Sequence, residues 1–584
     1  MVSGLASGSV IRFGRERLIS CSILVLVVWL GNFLEFDRFS LYADDWRYLG
    51  WEVGDPSAAI GWLDGFEQYP VARLGQWSLI YLEGRLVAWF GTLAAAYLFL
   101  FFISVLSVLA TWRVLTIRFS DRVALAAAIV LAISPLVSIR PFLNAVASPA
   151  SLLLLMIAGA LWVSDRKICS YLVALLVLST YELIFPLFVF LPILLKPIAT
   201  RRDVFRFIGH ALICAALLAA DAGMIALYRG DRLRAGIGGQ DGIDLAWGML
   251  RVMVRSLQSG LSGSVNVGSW LGKLHGMADV QLWGVIAFAA FAFLLWRPEP
   301  VRPAAGTGDR RLAAQTIAVL LLMALSGYAL VYFASPLGAG GVLGRESRFH
   351  SAASLPLAIL SGMILVGLTR IAQSGWGRVA VVAADAGYLA AMFAFSISHQ
   401  SDFVLATERQ RLVVAQLAID HPMLDPHATF IIRFSNVEKR DRQAIEYNDT
   451  HSWYRMLRML FAFPDGPQSG PVIRIVREDS WPHYLAPGPD GRLDWTGLVF
   501  PLEPEQAGHI WYYDLTLDGV LKPVGTPILV GGRNILHAGP DAPDGAVNLG
   551  RLAKLPLFGM VMGPDAAILE TVAGGREGSG AAEP

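Results

Sequence analysis

Charge is what this 584-residue chain has least of: Asp, Glu, Lys and Arg together make up 16% of it, against roughly 25% in ordinary soluble domains. A soluble chain of this length divides into several domains, each needing its own polar surface, so a soluble enzyme is excluded. Cysteine is nearly missing too. Cys21, Cys169 and Cys214 all fall in apolar stretches, which leaves no disulfide framework. The low hydrophobicity and high net charge that mark disorder are absent, since 55% of residues are hydrophobic, mean hydropathy is +0.54 and the formal charge is +1. The ten His show no metal-ligand spacing, so no metal is expected. No basic aromatic groove points to nucleic acid. The Gly-rich runs at 236–242 and 338–341 follow no strand and never continue to Gly-Lys-Ser/Thr, so they read as loop and not as nucleotide cradles.

What the chain does have is long apolar runs. A spanning helix needs about 20 predominantly apolar residues, and candidates lie near 18–36, 87–110, 123–139, 148–163, 207–228, 280–296, 312–333, 351–368 and 379–396. The run at 168–195 is too long for one span and too short for two. Its Ser-Thr-Tyr-Glu break at 179–182, followed by Pro186 and Pro192, predicts two short kinked segments. The reading is a polytopic α-helical membrane protein of about 11 transmembrane helices.

Orientation follows from basic residues in short loops. With the N-terminus cytoplasmic, 18 Lys/Arg fall in roughly 70 residues of inner segments, against 13 in roughly 130 residues of outer loops. That predicts N-in and C-out, with the first apolar stretch an uncleaved anchor. Two outer loops are large, 37–86 and 229–279. The first carries eight of the membrane half's 23 acids among Trp46, Trp51, Trp62 and Trp77, the pattern of short amphipathic helices lying in the interface.

The near-zero net charge hides a partition. Residues 400–584 hold 16 Lys/Arg against 23 Asp/Glu, which leaves 31 against 23 for residues 1–399. The chain therefore reads as a transmembrane domain over 1–399 and an extracytoplasmic soluble domain over 400–584. In the latter, 403–420 is an amphipathic helix, Thr429 to Phe434 a strand and 440–462 a helix. Strand-like runs follow at 472–477, 495–500, 509–517 and 526–530, and a Gly-rich tail begins at about 573. This is an α+β or β-rich domain.

The sharpest chemical signal is Tyr42-Ala43-Asp44-Asp45-Trp46-Arg47, just past the first span. A carboxylate pair at a partly desolvated boundary tends to a raised pKa and suits a general base. If the segment is helical, one Asp can face a cavity while the other orients it or pairs with Arg47. The alternative is that both merely cap a short interfacial helix.

An N-in first helix, Asp-Asp in the first outer loop, interfacial helices, about eleven spans and an outer C-terminal domain together resemble the GT-C superfamily of membrane glycosyltransferases. More narrowly, the Asp-Asp-Trp-Arg followed by ARLGQW (72–77) and Glu-Gly-Arg (83–85) is similar to bacterial O-antigen-modifying glucosyltransferases. The resemblance covers about 10–400. It implies a multi-pass protein of the bacterial inner membrane with a periplasmic domain, and a polyprenyl-phosphate sugar as donor without further cofactor. It also implies a cell-envelope glycan or lipid as acceptor, and an inverting transfer in which Asp44 or Asp45 deprotonates the acceptor hydroxyl.

Such chemistry needs cations where the leaving phosphate builds charge, and the planar fork of Arg serves that need. Arg345 and Arg348, crowded with Glu346 and His350 just before the span at 351, are the first candidates. Arg140 beside Pro141, then Arg73, Arg85 and Lys273, come next. Each could equally snorkel to lipid headgroups. Glu182, between the two half-length segments, is costly at membrane depth unless paired or wetted; it is expected to face the donor cavity and bond a sugar hydroxyl or an Arg, unless it lies at an ordinary outer turn. Asp221 and Asp385 read as acids near helix ends. The competing functions are a lipid-linked glycan polymerase or ligase, whose Arg/His-rich loops lie later in the chain, and a transporter or flippase, which would show a counterpart to the 179–182 break in a second half.

Overall fold

The computed structural model describes residues 4–42, 45, 73–228, 242–295, 307–334, 344–372 and 375–420, and past residue 420 only short strand segments between 423 and 548. Its helices are α1 (Gly4–Asn32), α2 (Leu74–Phe90), α3 (Ala94–Leu115), α4 (Asp121–Ile133), α5 (Ala147–Val163), α6 (Lys167–Thr180), α7 (Pro186–Leu195) and α8 (Arg201–Tyr228). They continue with α9 (Gly242–Val265), α10 (Val267–Gly272), α11 (Asp279–Leu295), α12 (Thr307–Ser326), α13 (Val331–Ala334), α14 (Ser351–Ile371) and α15 (Gly375–Asp420). Six stretches are long and apolar enough to cross a membrane: Arg17–Arg38, Ala94–Leu115, Leu143–Val163, Arg201–Gly223, Ser347–Thr369 and Gly375–Leu417. Lys167–Thr180, Glu182–Leu195, Asp279–Phe293 and Arg311–Ser326 are shorter apolar helices. This is the make-up of a multi-pass helical membrane protein; the eleven spans expected from the sequence compare with these six and four among the described residues.

The chain divides into two compact units: 1–36, 61–82 and 97–401 form one, and 37–60, 83–96 and 402–584 the other. In the first, α5 and α6 make a helical hairpin across a tight turn in which Asp165 takes φ +61. α4 packs closely on α14. A Cβ built on Gly362 would lie 2.8 Å from Ala127 N and 3.0 Å from Val123 O, so only glycine lets the two backbones approach this far. Val123, Ala126 and Val366 are buried at that contact.

The apolar run 168–195 is broken at Tyr181, whose extended backbone (φ −154, ψ 96) ends α6; a 3-10 turn at Glu182–Ile184 leads into α7, with Pro186 at its start and Pro192 inside it. Three other sequence readings differ from the structure. A single span at 87–110 is in fact the end of α2 and the start of α3, separated at Gly91, whose φ of +66 stops the helix while its N–H still bonds Val87 O at 2.8 Å. The outer loop 229–279 contains the 24-residue helix α9. The span at 379–396 and the amphipathic helix at 403–420 are one 46-residue helix, α15. The sequence starts the soluble domain at 400, yet the polar side chains around that residue are buried and cap the end of α1. Ser396 Oγ donates to Gly31 O at 2.7 Å and Gln400 Nε2 to Leu30 O at 2.9 Å, which satisfies terminal carbonyls that a helix end otherwise leaves open.

In the second unit, β1 (Thr429–Phe434) pairs in parallel with both β2 (Val472–Arg477) and β3 (Ile510–Leu515), and β4 (Leu521–Pro523) closes the sheet antiparallel to β3. Phe430 and Ile432, two residues apart on one face, are buried, as is Tyr513 opposite Ile432. The helix expected at 440–462, the strand at 495–500 and the tail from 573 lie outside the described residues.

Candidate functional site

Two constellations stand out, one in each unit. In the first unit, Arg73 precedes α2, Glu182 opens the 3-10 turn between α6 and α7, and Arg348 lies in a second 3-10 turn, Gly344–His350, that leads into α14. Arg73 Nη2 donates to Glu182 Oε1 as a part-buried ion pair. Glu182 Oε2 is buried and has no hydrogen-bond partner among the described residues. Tyr181 Oη donates to the backbone carbonyl of Arg348 at 3.4 Å, tying the two turns together. Asp221, from α8, lies within electrostatic reach of Glu182 and Arg73.

Local sequence explains how these segments meet. Gly75 opens α2 beside the end of α6, and a Cβ there would fall 3.1 Å from Thr180 Cα, so the missing side chain lets Arg73 reach the turn at Glu182. Gln76 Nε2 donates to Asn144 Oδ1 at 2.9 Å and fixes the same end of α2. The side chain of Arg345 is outside the described residues. Arg348 is half-buried, its guanidinium carbon 5.1 Å from the Phe349 ring centre. The group can offer Arg forks to a phosphate and an open carboxylate lone pair to a hydroxyl.

Arg140 is placed apart from the Arg73–Glu182 pair. Its guanidinium donates to Leu131 O at 2.7 Å, Ser134 O at 3.1 Å and Asn32 Oδ1 at 3.3 Å, all neutral oxygens. Burial lowers its pKa to about 10, which leaves it protonated at neutral pH.

In the second unit the centre is Asp45, which is fully buried. Its N–H donates to Tyr42 O at 2.8 Å, and Tyr42 N–H donates to Asp45 Oδ2 at 3.1 Å, a reciprocal pair that holds the carboxylate in one orientation. Tyr42 is itself locked. Its hydroxyl donates to Phe403 O at 3.0 Å, accepts from Ser40 N at 3.1 Å and lies 2.7 Å from Thr407 Oγ1 on α15. Burial raises the Tyr42 pKa, with Asp45 adding to the rise.

Glu83, on α2, is also fully buried, and neither carboxyl oxygen has a hydrogen-bond partner among the described residues. Burial first, and the Asp45 charge second, push its pKa well above the usual carboxylate range, which favours the neutral acid. The sequence reading quoted Glu83 only as part of a family likeness and missed it as a site residue; an acid in the apolar stretch WSLIYLEGRLVAWF was the available signal. Asp44 and Arg47 lie outside the described residues. Among the described residues no group of three His, Cys, Asp or Glu side chains could hold a metal ion.

No protein-family model matches the chain, and no curated protein matches it. Two solved structures of the Archaeoglobus fulgidus oligosaccharyltransferase align with it. One, tethered to an acceptor peptide containing the NVT sequon, is 16% identical over 74% of this chain and 63% of its own, at a TM-score of 0.34. The other, in complex with Zn and sulfate, is 15% identical over 73% and 61%, at 0.30. The chain thus spans about three fifths of the length of the proteins it matches. Likeness at this level carries nothing about activity, and what this chain does has to come from its own residues.

Proposed function

We propose that the chain is a membrane glycosyltransferase of the GT-C superfamily, which moves a sugar from a polyprenyl-phosphate-linked donor to a cell-envelope glycan or lipid acceptor at the outer face of the bacterial inner membrane. The observation that carries this reading is the pairing of Arg73 with Glu182 beside the turn that bears Arg348, with Glu182 Oε2 buried and without a hydrogen-bond partner among the described residues. A buried open carboxylate oxygen costs free energy unless something fills it, and a sugar hydroxyl is a donor that can. In the reaction the acceptor oxygen attacks the anomeric carbon, its proton passes to a carboxylate base, the role that the family resemblance gives to Asp44 or Asp45, and the anomeric carbon–phosphate oxygen bond breaks. The electron pair leaves on polyprenyl phosphate, whose growing charge Arg73, Arg348 and Arg345 neutralise. Energy is stored in the sugar–phosphate bond, so no nucleotide or ion gradient is needed. The narrower likeness to O-antigen-modifying glucosyltransferases rests on residues 44–47, 72–77 and 83–85; it makes an outer glycan the first acceptor to try.

The test reconstitutes the full-length protein in vesicles with a panel of polyprenyl-phosphate hexoses and pentoses, offers glycan, lipid and sequon-peptide acceptors, and measures release of polyprenyl phosphate. Glu182→Gln keeps the shape and the Arg73 contact but loses the charge. It should raise donor KM about 5- to 10-fold, the scale of one charge-assisted hydrogen bond. No turnover of any donor, or movement of intact donor between leaflets in place of turnover, refutes the transferase reading and favours a flippase.

A further inference from the structure

A cavity of about 70 Å³ lies inside the first unit, between α1, α3, α4, α5 and α14. That is several times the ~10–15 Å³ that admits one water, so the cavity has room for a group larger than one water. Its polar lining comes from Asn32, Arg140 and five serines, Ser351 among them, and no acidic residue lines it. None lines the smaller cavity on the other side of Arg140 either. The part-buried guanidinium is held by neutral oxygens, with no carboxylate beside it in either lining. Capping the end of α4 through Leu131 O and Ser134 O explains part of the arrangement, but a cap needs neither a cavity nor a ring of serines.

A further observation points at a ligand. Ser351 is only 4% exposed and lines the cavity, yet its Oγ has no hydrogen-bond partner among the described residues. Cation and unpartnered hydroxyl therefore line one cavity whose lining includes no acidic residue. The remaining lining, including Val28, Leu100 and Leu152, is aliphatic, as suits the first carbons of a lipid attached to such a group.

We propose that this cavity is an anion site that takes a phosphate ester or phosphate ion, with Arg140 neutralising its charge and Ser351 Oγ donating to one of its oxygens. The site stands independently of the transferase reading and uses none of the Arg73, Glu182 or Arg348 side chains. The ligand can be the phosphomonoester head of a membrane lipid or free phosphate, and the experiment separates these sources.

Full-length protein is placed in phosphatidylcholine nanodiscs, and its unfolding midpoint is followed against phosphatidic acid in the bilayer and, separately, against inorganic phosphate, with chloride at matched ionic strength as the reference. Saturable stabilisation by one probe is expected, and which probe gives it names the source. Ser351→Ala removes only the open hydroxyl, so it should fold as well as wild type and need at least tenfold more probe for half-saturation. Arg140→Lys keeps a cation while losing the fork, and should weaken binding by at least as much. The proposal is overturned if neither probe stabilises beyond chloride, or if both variants respond like wild type, as they would were the cavity filled by water alone.

Discussion

Glu83 allows a test with a worked sign and size. In the unfolded chain it ionises near its ordinary 4.5, whereas in the folded protein burial and the neighbouring Asp45 keep it neutral well above that. Between those limits the folded state holds one more proton than the unfolded chain, so stability falls as pH rises, by about 1.4 kcal/mol for each pH unit. Below the unfolded pKa the group is neutral in both states and adds no slope. Glu83→Gln keeps size and polarity but cannot ionise, and so lacks that slope. Reversible denaturant unfolding in mixed micelles, repeated at successive pH values from 5 upward, should show the variant gaining on wild type by about 1.4 kcal/mol per unit. The gain levels off once the folded pKa is passed. Asp45→Asn removes the second cause of the shift and should bring the levelling-off to lower pH. Wild-type and Gln curves that stay parallel across the range would refute the claim that Glu83 is buried as a neutral acid.

Three further outcomes are expected. Gly362→Val forces side-chain carbons against the α4 backbone at Val123 and Ala127, where no rotamer can give way, so it should cost about 1–3 kcal/mol or more and lower the unfolding midpoint in detergent; an unchanged midpoint would deny the close α4–α14 contact. Tyr42→Phe removes the hydroxyl that accepts from Ser40 N–H and donates to Phe403 O and should cost about 1–3 kcal/mol, and under the transferase reading it should also lower kcat by loosening Asp45, while an unaltered rate with lowered stability would separate Asp45 from the chemistry. A reporter active only outside the cytoplasm should work when fused after residue 400 and fail near 305; the reverse pattern would invert every assignment of inside and outside.

Much of the architecture is legible in the primary structure because the bilayer imposes a local rule: length and apolarity of single stretches decide what can span. The break near Tyr181 follows from Pro186, Pro192 and a polar tetrapeptide, all within a few residues of each other. The strands at 429–434, 472–477 and 510–515 likewise announce themselves through β-branched and aromatic runs. Local composition fails where a polar residue's partner is far away in sequence. Ser396 and Gln400 look like an exit from the membrane until the last carbonyls of α1 are seen to accept their hydrogens.

The candidate sites divide along the same line. Glu182 stands out in the sequence as a charge where apolar surroundings make it expensive, Asp44 and Asp45 as a carboxylate pair just past a span, and Arg348 through its crowding with Arg345, Glu346 and His350 just before one. Only the tertiary structure pairs Glu182 with Arg73, 109 positions earlier, and leaves Oε2 open. It alone sets Glu83 within reach of the Asp45 charge, and joins Arg140 to Ser351 around one cavity. A sequence records which groups carry charge and what apolar matter lies beside them along the chain. Whether such a charge is paired, neutralised or left waiting for a ligand depends on distances across the fold, and those are fixed when helices distant in sequence pack together.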